Sequence, residues 1–267
     1  MNNDSKGSYA EVNGLEMYYE IYGAGEPLVV LHGAYMSINT MGEVVSELAK
    51  NRRVIPVELQ AHGRTADIDR PLSYEQMADD VAALLGHLKI EKADIFGYSM
   101  GGGVALQVAV RHPGMARKLV VASATYKSEG IYPEVLEGIE QITPEAFVGT
   151  PWREEYDRIA PNPEDFPTLV DKLKRLDGEI QDWPDEDIRS IKAPTLLIVP
   201  DSDVVRPEHA LEMFRLIGGG VAGDLAGLPN SRLAVLPGTT HVGLVERSDW
   251  LVSMIGEFLD APMPEAE

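Results

Sequence analysis

Short apolar runs alternate with longer amphipathic stretches along most of the chain. Between the runs, apolar residues recur at three- and four-residue spacing, which predicts helices over residues 39–50, 73–88, 101–111, 207–216 and 249–259. The runs themselves are rich in β-branched residues and predict strands buried on both faces. They are PLVVL at 27–31, RVIPV at 53–57, ADIF at 93–96, KLVVA at 118–122, TLLIV at 195–199 and LAVL at 233–236. Alternation of strand and helix indicates a parallel sheet with right-handed crossovers.

Two local signals mark where elements begin and turn. Residues 8–22 alternate loosely around Asn13-Gly14, a dipeptide that accepts the positive φ angles of a tight hairpin, so two short strands are predicted there. Ser73, with Gln76 three residues later, has the spacing of a capping box and predicts a helix start.

One segment interrupts the alternation. Residues 126–189 contain no strand-like run, many prolines and acidic residues, and weak helical patches at 133–140 and 166–176. They predict a mostly helical cap inserted into an α/β core formed by residues 1–125 and 190–267. The alternative is a long surface excursion without function, although structureless loops of this length are uncommon in compact domains.

Composition limits the classes of partner. The chain has 267 residues, 44% hydrophobic and 25% charged, with a formal net charge of -20. Nucleic-acid and anionic-lipid surfaces need clustered Lys and Arg, so neither partner is expected. The chain shows no run of 18 apolar residues and no secretory signal, so we expect a cytoplasmic protein without a membrane partner. The oligomeric state stays open.

Cysteine is absent, so covalent chemistry needs another nucleophile. No HExxH pair or cluster of His and carboxylate ligands is visible, and we expect neither a metal nor an organic cofactor.

The segment Gly97-Tyr98-Ser99-Met100-Gly101 matches GxSxG, and it lies between the ADIF strand and a predicted helix. That context of strand, sharp turn and helix favours Ser99 as a nucleophile. The alternative is that Ser99 only caps the helix.

A serine nucleophile needs a base, and the base needs a carboxylate. His241 follows the last predicted strand and so reaches the carboxyl edge of the sheet, whereas His87, His112 and His209 lie at or in helices. The TLLIV strand runs into Asp201 and Asp203. We favour Asp203 as the acid, since Asp201 directly follows the strand and suits a turn role; both could also be turn residues.

An oxyanion needs two donors already in place. The Met100 amide at the helix start supplies one. The turn His32-Gly33-Ala34-Tyr35 follows the first parallel strand, and we assign Ala34 as the second donor, with Tyr35 as the second choice. His32 is interpreted as a residue that braces this loop.

The order Ser99, Asp203, His241, with an HG turn before them, resembles the α/β-hydrolase fold superfamily over nearly the whole chain. Residues 59–72 also resemble the loop after the fourth strand of these enzymes. The resemblance implies an eight-stranded, mostly parallel sheet flanked by helices, with a small helical cap inserted after the sixth strand.

Two features narrow the resemblance. Epoxide hydrolases and haloalkane dehalogenases use aspartate where this chain has Ser99, and proline usually stands where this chain has Tyr35. The lipase-like HGGG is also absent. A carboxylesterase-like serine hydrolase remains, acting on a small to medium apolar ester through an acyl-enzyme.

Tyr35, Trp152 and Trp183 are the candidates for substrate contact, although packing is the favoured role for the two tryptophans, since buried aromatic residues usually serve the core. A lactonase, a thioesterase or a carbon–carbon bond hydrolase could use the same triad, and a slow-turnover ligand-binding receptor is the alternative from another class.

Overall fold

A computed structural model describes residues 7–178 and 182–263, and an eight-stranded sheet forms its centre. The order across the sheet is β1-β2-β4-β3-β5-β6-β7-β8. The strands are β1 (Ser8–Val12), β2 (Leu15–Tyr19), β3 (Pro27–Leu31), β4 (Arg53–Val57), β5 (Ala93–Tyr98), β6 (Ala116–Ala122), β7 (Thr195–Ser202) and β8 (Arg232–Thr240). The pairs β1–β2 and β2–β4 are antiparallel, and the others are parallel. The predicted fold class is therefore confirmed.

The helices are α1 (Val44–Leu48), α2 (Tyr74–His87), α3 (Met100–Arg111), α4 (Pro133–Gln141), α5 (Pro151–Ile159), α6 (Phe166–Gly178), α7 (Asp185–Ser190), α8 (Pro207–Leu216), α9 (Gly223–Ala226) and α10 (Ser248–Asp260). The predictions for α2, α3, α8 and α10 are confirmed to within one residue at each end. At the start of α2, the Gln76 amide donates to the Ser73 hydroxyl at 3.1 Å, as the capping signal predicts. Within the described ranges, no helix is both long and apolar enough to cross a membrane.

The single helix predicted over residues 39–50 is wrong. The structure has a 3₁₀ turn at Ile38–Met41 followed by the short α1. Between them Gly42 adopts φ 62°, a left-handed conformation that interrupts a right-handed helix and that glycine adopts at little steric cost. The apolar spacing survives because Met41 and Val44 are buried in the same cluster, so periodicity alone could not reveal the break.

The sheet separates two apolar layers. Along β3, Val29 and Leu31 enter the layer that α2 and α3 cover, whereas Leu28 and Val30 enter the layer that α1 and α10 cover. This alternation follows from the two-residue period of a strand, and burial on both faces explains the continuous apolar runs. Because β5 to β8 are parallel, the residues that follow them meet at one edge of the sheet.

The described residues between β6 and β7 form α4 to α7, joined by loops and short 3₁₀ turns, and the two predicted patches correspond to α4 and α6. Helix α6 buries a stripe of apolar side chains at helical spacing, among them Phe166, Val170 and Leu173. Helix α4 has no fully buried side chain, and its Val135 and Ile139 instead line a cavity. We refer to residues 126–189 as the helical segment; residues 179–181 within it lie outside the description.

Candidate active site

Ser99 occupies a sharp turn between β5 and α3. Its backbone has φ 54° and ψ -121°, a conformation that L-residues rarely adopt. The flanking glycines are required by close backbone approach: a Cβ at Gly97 would collide with the Gly101 carbonyl, and one at Gly101 with the carbonyls of Leu31 and His32. The Ser99 side chain makes no capping hydrogen bond to α3, so its hydroxyl is available for another partner.

Gly101→Ala tests this close approach. The new methyl group has only immobile backbone to displace, so we expect a loss of about 2 kcal/mol or more in the free energy of unfolding. Gly86→Ala is the matched control, since Gly86 lies in α2 and a methyl group added there would meet no neighbouring atom within 4 Å. There the change should stabilise by up to about 1 kcal/mol through helix propensity. Denaturant unfolding of both variants measures the difference, and equal stabilities would contradict it.

Three side chains that follow different strands form one hydrogen-bonded chain. The Ser99 hydroxyl lies 3.0 Å from His241 Nε2, and His241 Nδ1 lies 2.6 Å from Asp203 Oδ1. With Nδ1 donating to the carboxylate, Nε2 is left as the acceptor for the serine proton. The structure thus brings together the nucleophile, base and acid that the sequence predicts.

The two aspartates after the TLLIV run have separate roles. Asp203 is buried, and its carboxylate also accepts from the Ser123 hydroxyl at 2.6 Å and the Val205 amide at 3.3 Å. Asp201 is exposed and accepts from the Gly238 amide at 2.9 Å. This amide, with further donors beside it, lowers the pKa of Asp201. Asp203 is therefore the hydrogen-bond partner of His241, whereas Asp201 holds the backbone just before His241.

Sequence reasoning missed two residues that support the triad. Ser123 directly follows β6, so its position at the sheet edge was the available signal, and its hydroxyl helps to hold Asp203. Tyr98 donates from its hydroxyl to the His241 carbonyl at 2.9 Å, and the two rings lie 5.4 Å apart. No sequence pattern marks this contact, because it joins residues 143 positions apart.

The predicted oxyanion donors border the same cavity as Ser99. The Ala34 and Met100 amides donate to no protein acceptor within the residues that the structure describes. The Met36 amide donates to the Gly33 carbonyl at 3.3 Å, which closes a tight turn with Tyr35 at φ 62°. This turn is of the kind that usually needs glycine at that position, so the backbone is strained beside the nucleophile.

His32 braces this turn from within the core. Its Nδ1 donates to the Gly33 carbonyl at 2.8 Å, and its Nε2 accepts from the Leu59 amide at 3.2 Å. The His62 ring lies 5.0 Å away. Burial lowers the pKa of His32 to about 4 and that of His62 to about 3. Both rings are therefore neutral at pH 7, and protonating His32 removes the acceptor for Leu59.

We expect this pair to make the fold sensitive to acid. Each histidine has an ordinary pKa of 6.5 when unfolded, so the unfolded chain binds more protons below that pH and stability falls as pH decreases. At pH 4.5, each of the two histidines should lower the free energy of unfolding by about 3 kcal/mol relative to pH 7. Burial raises the pKa of Glu58 to about 7, which acts in the opposite direction over the same range. In denaturant titrations, His62→Asn should lose less stability than wild type between pH 7 and 4.5; equal slopes would contradict this.

Ser99 opens onto a cavity of about 790 Å³ between the sheet edge and the helical segment. Tyr35 and Trp152 line it, and their contact with a substrate stays a prediction. Trp183 does not: it is buried against Tyr74 at a ring distance of 5.8 Å, and its indole donates to Glu75 at 3.1 Å. The substrate-contact prediction for Trp183 is thus corrected to packing, because its polar N–H has a protein partner outside the cavity.

The other histidines lie away from this cavity. His112 contacts Asp79 at 2.8 Å, and His209 contacts Thr125 at 2.7 Å. Burial lowers the pKa of His209 to about 4. Over residues 7–178 and 182–263, no group of three or more His, Asp and Glu side chains is arranged to hold a metal ion.

Comparison with known proteins agrees with this architecture. The "2-hydroxymuconate semialdehyde hydrolase" of Pseudomonas sp. (strain CF600) is 35% identical over 124 residues, 45% of this chain and 42% of that protein. The "AB hydrolase superfamily protein YisY" of Bacillus subtilis (strain 168) is 26% identical over 91% of this chain and 94% of its own. A solved structure of the meta-cleavage product hydrolase CumD from Pseudomonas fluorescens IP01 superposes with a TM-score of 0.73 at 20% identity, covering 96% of this chain and 97% of that one. That likeness shows the fold.

A family model gives the classification. The model described as "Alpha/beta hydrolase family" matches residues 28–254, from the second residue of β3 into α10. The match includes nearly all of β3, the whole of β4 to β8, the nucleophile turn and the helical segment, and leaves out only β1 and β2 among the strands. This chain is therefore a member of the alpha/beta hydrolase family.

Proposed function

We propose that the protein is a serine hydrolase that cleaves carboxylic esters through an acyl-enzyme on Ser99. The observation that carries the proposal is the hydrogen-bonded chain from Ser99 through His241 to Asp203, with distances of 3.0 and 2.6 Å. A serine hydroxyl becomes an effective nucleophile when a base takes its proton during attack. Membership of the family supports hydrolase activity. That the bond cleaved is an ester, and that Ser99 is the nucleophile, is our proposal.

The proposed reaction has two steps. Ser99 Oγ attacks the ester carbonyl while His241 Nε2 takes its proton, and Asp203 stabilises the imidazolium. The oxyanion accepts hydrogen bonds from the Ala34 and Met100 amides. As the tetrahedral intermediate collapses, the C–O bond breaks, the alcohol leaves with the proton from His241, and an acyl-enzyme remains. Water then attacks the acyl carbonyl while His241 Nε2 takes one of its protons; the bond from the acyl carbon to Ser99 Oγ breaks, His241 returns the proton to Oγ, and the acid leaves.

The helical segment is proposed to act as a cap that selects the substrate, over a core of residues 1–125 and 190–267. Val135 and Ile139 of α4 and Trp152 of α5 line the same cavity as the nucleophile turn. Apolar walls favour an apolar acyl or alcohol group, since its burial gains about 25 cal/mol per Å². A cavity of about 790 Å³ suits a small to medium substrate.

Carbon–carbon bond hydrolysis is the second candidate. The same triad can attack a ketone carbonyl beside such a bond. The relative named "2-hydroxymuconate semialdehyde hydrolase", whose match includes 45% of this chain but only 42% of its own length, supports hydrolysis of a carbonyl compound other than an ester. Lactones and thioesters are further candidates, because the same triad can attack any of these carbonyl groups. We rank the ester first because it needs no protein group beyond the triad and the two amides.

A substrate panel tests the proposal. The purified protein is given aryl esters of increasing acyl length, a lactone, a thioester and a vinylogous diketone, with Ser99→Ala as the control for background hydrolysis. We expect the highest kcat/KM with an aryl ester and loss of that activity in the control. Preference for the lactone, thioester or diketone by about tenfold or more would replace the ester assignment, and equal rates in the control would overturn the serine mechanism.

A further inference from the structure

A carboxylate lies in the cavity away from the triad. Asp177, one residue before the end of α6, lines the cavity together with Ser99 and His241. Among the residues that the structure describes, its carboxylate has no hydrogen-bond or ion-pair partner. A partly buried carboxylate in this state has lost solvent without gaining a counter-charge. The triad mechanism makes no use of Asp177.

Two aromatic rings in contact with each other line the same cavity as Asp177. The Tyr35 and Phe147 rings lie 4.5 Å apart, and both line the cavity with Asp177. Burial, and then the nearby Asp177 charge, raise the pKa of the Tyr35 hydroxyl, which is itself buried without a hydrogen-bond partner within the described ranges. Tyr35 and Asp177 therefore lie close enough for their charges to interact, although no hydrogen bond joins them.

The sign of the charge in the cavity is uniform. Three carboxylates line the cavity, those of Glu43, Asp177 and Glu246. Among the described lining residues there is no Lys or Arg, and His241 is the one basic side chain. Burial raises the pKa of Asp177 to about 6, so it is mostly ionised at pH 7. The chain as a whole carries a formal net charge of -20, which attracts cations to such an opening.

We propose that Asp177, with the rings of Tyr35 and Phe147, forms a subsite for a positively charged amine carried by the ester substrate. An ammonium group can donate hydrogen bonds to the Asp177 carboxylate while the ring faces attract its charge. The apolar remainder of the cavity would hold the carbon chain that joins the amine to the ester. This inference rests on the proposed function and names the substrate class more narrowly.

The test compares three esters of equal length with one leaving group. One acyl chain ends in a protonated amine, one in a methyl group and one in a carboxylate. We expect wild type to show a kcat/KM for the amine ester at least about tenfold above that for the methyl ester, with the carboxylate ester lowest. In Asp177→Asn the ratio of amine to methyl ester should fall close to one. Asp171→Asn, on the exposed surface of the same helix, is the matched control and should keep the wild-type ratio.

A second measurement does not depend on turnover. A simple alkylammonium ion should slow the labelling of Ser99 by a fluorophosphonate probe in wild type and in Asp171→Asn, and should lose this effect in Asp177→Asn. The subsite is overturned, while ester hydrolysis stands, if the ratio of kcat/KM for the amine ester to that for the methyl ester is one or less in wild type. The same holds if this ratio is unchanged in Asp177→Asn. If Ser99→Ala hydrolyses the esters as fast as wild type, or if no ester is cleaved, the proposed function fails and the subsite inference fails with it.

Discussion

Ser99→Ala is expected to lower kcat for ester hydrolysis by at least about 10⁴-fold. Removing the hydroxyl leaves His241 with no group to activate, and an acyl-enzyme can no longer form. The cavity and the two oxyanion amides remain in place, so substrate binding should persist and KM should change far less than kcat. Steady-state kinetics with an aryl ester measure both constants.

The fold should tolerate this change. The Ser99 side chain makes no capping hydrogen bond to α3, and alanine removes only its Oγ atom. Ser99 adopts φ 54°, and alanine at this position should bear similar strain because both residues carry a Cβ atom, so the variant should unfold within about 1 kcal/mol of wild type. Activity within tenfold of wild type would show that another group attacks the substrate.

Asp203→Asn is expected to lower kcat by about 10³- to 10⁴-fold. The asparagine can present its N–H₂ group to His241 Nδ1, which favours the tautomer with the proton on Nε2 and removes the acceptor for Ser99. The uncharged amide also no longer stabilises an imidazolium. The loss should appear in kcat at every pH where the wild type is active.

Asp201→Asn is the matched control, since it makes the same chemical change two residues away. Asp201 accepts hydrogen bonds from the Gly238 and Thr239 amides at 2.9 and 3.3 Å, and the carbonyl oxygen of asparagine can keep one of them. We expect kcat within about fivefold of wild type, because the His241 contact is untouched. Equal losses in the two variants would mean that general charge, not the Asp203 contact, supports the base.

Periodicity and turn chemistry were enough to predict most of the fold. The apolar runs of β3 to β7 are unambiguous because these strands are buried on both faces, and the Asn13-Gly14 hairpin follows from its two positive φ angles. The run in β8 also forms a strand, but the prediction that it is buried on both faces is wrong, because β8 lies at the edge of the sheet and Val235 is exposed. The triad geometry then follows from topology, since the ends of parallel strands share one edge. Ser99, Asp203 and His241 each lie after such a strand, which is why their sequence order was informative.

The rest depends on contacts between distant residues. Trp183 is predicted as a cavity residue by its type and segment, but its partners Tyr74 and Glu75 come from α2, and no pattern within the helical segment reveals them. Asp177 lies in an ordinary amphipathic helix, and its place in the cavity depends on how α6 packs against α4 and its other neighbours in the helical segment. The break at Gly42 was hidden because apolar spacing continues through it.

The central claim is that Ser99 is an activated nucleophile, and labelling with a fluorophosphonate probe tests it most directly. The probe forms a covalent bond with a serine oxygen only where a base assists the attack. After digestion, the peptide mass identifies the modified residue, with Ser99→Ala and heat-unfolded protein as controls. We predict one adduct, on Ser99, that is absent from both controls; an unlabelled native protein, or an adduct on another residue, would contradict the account.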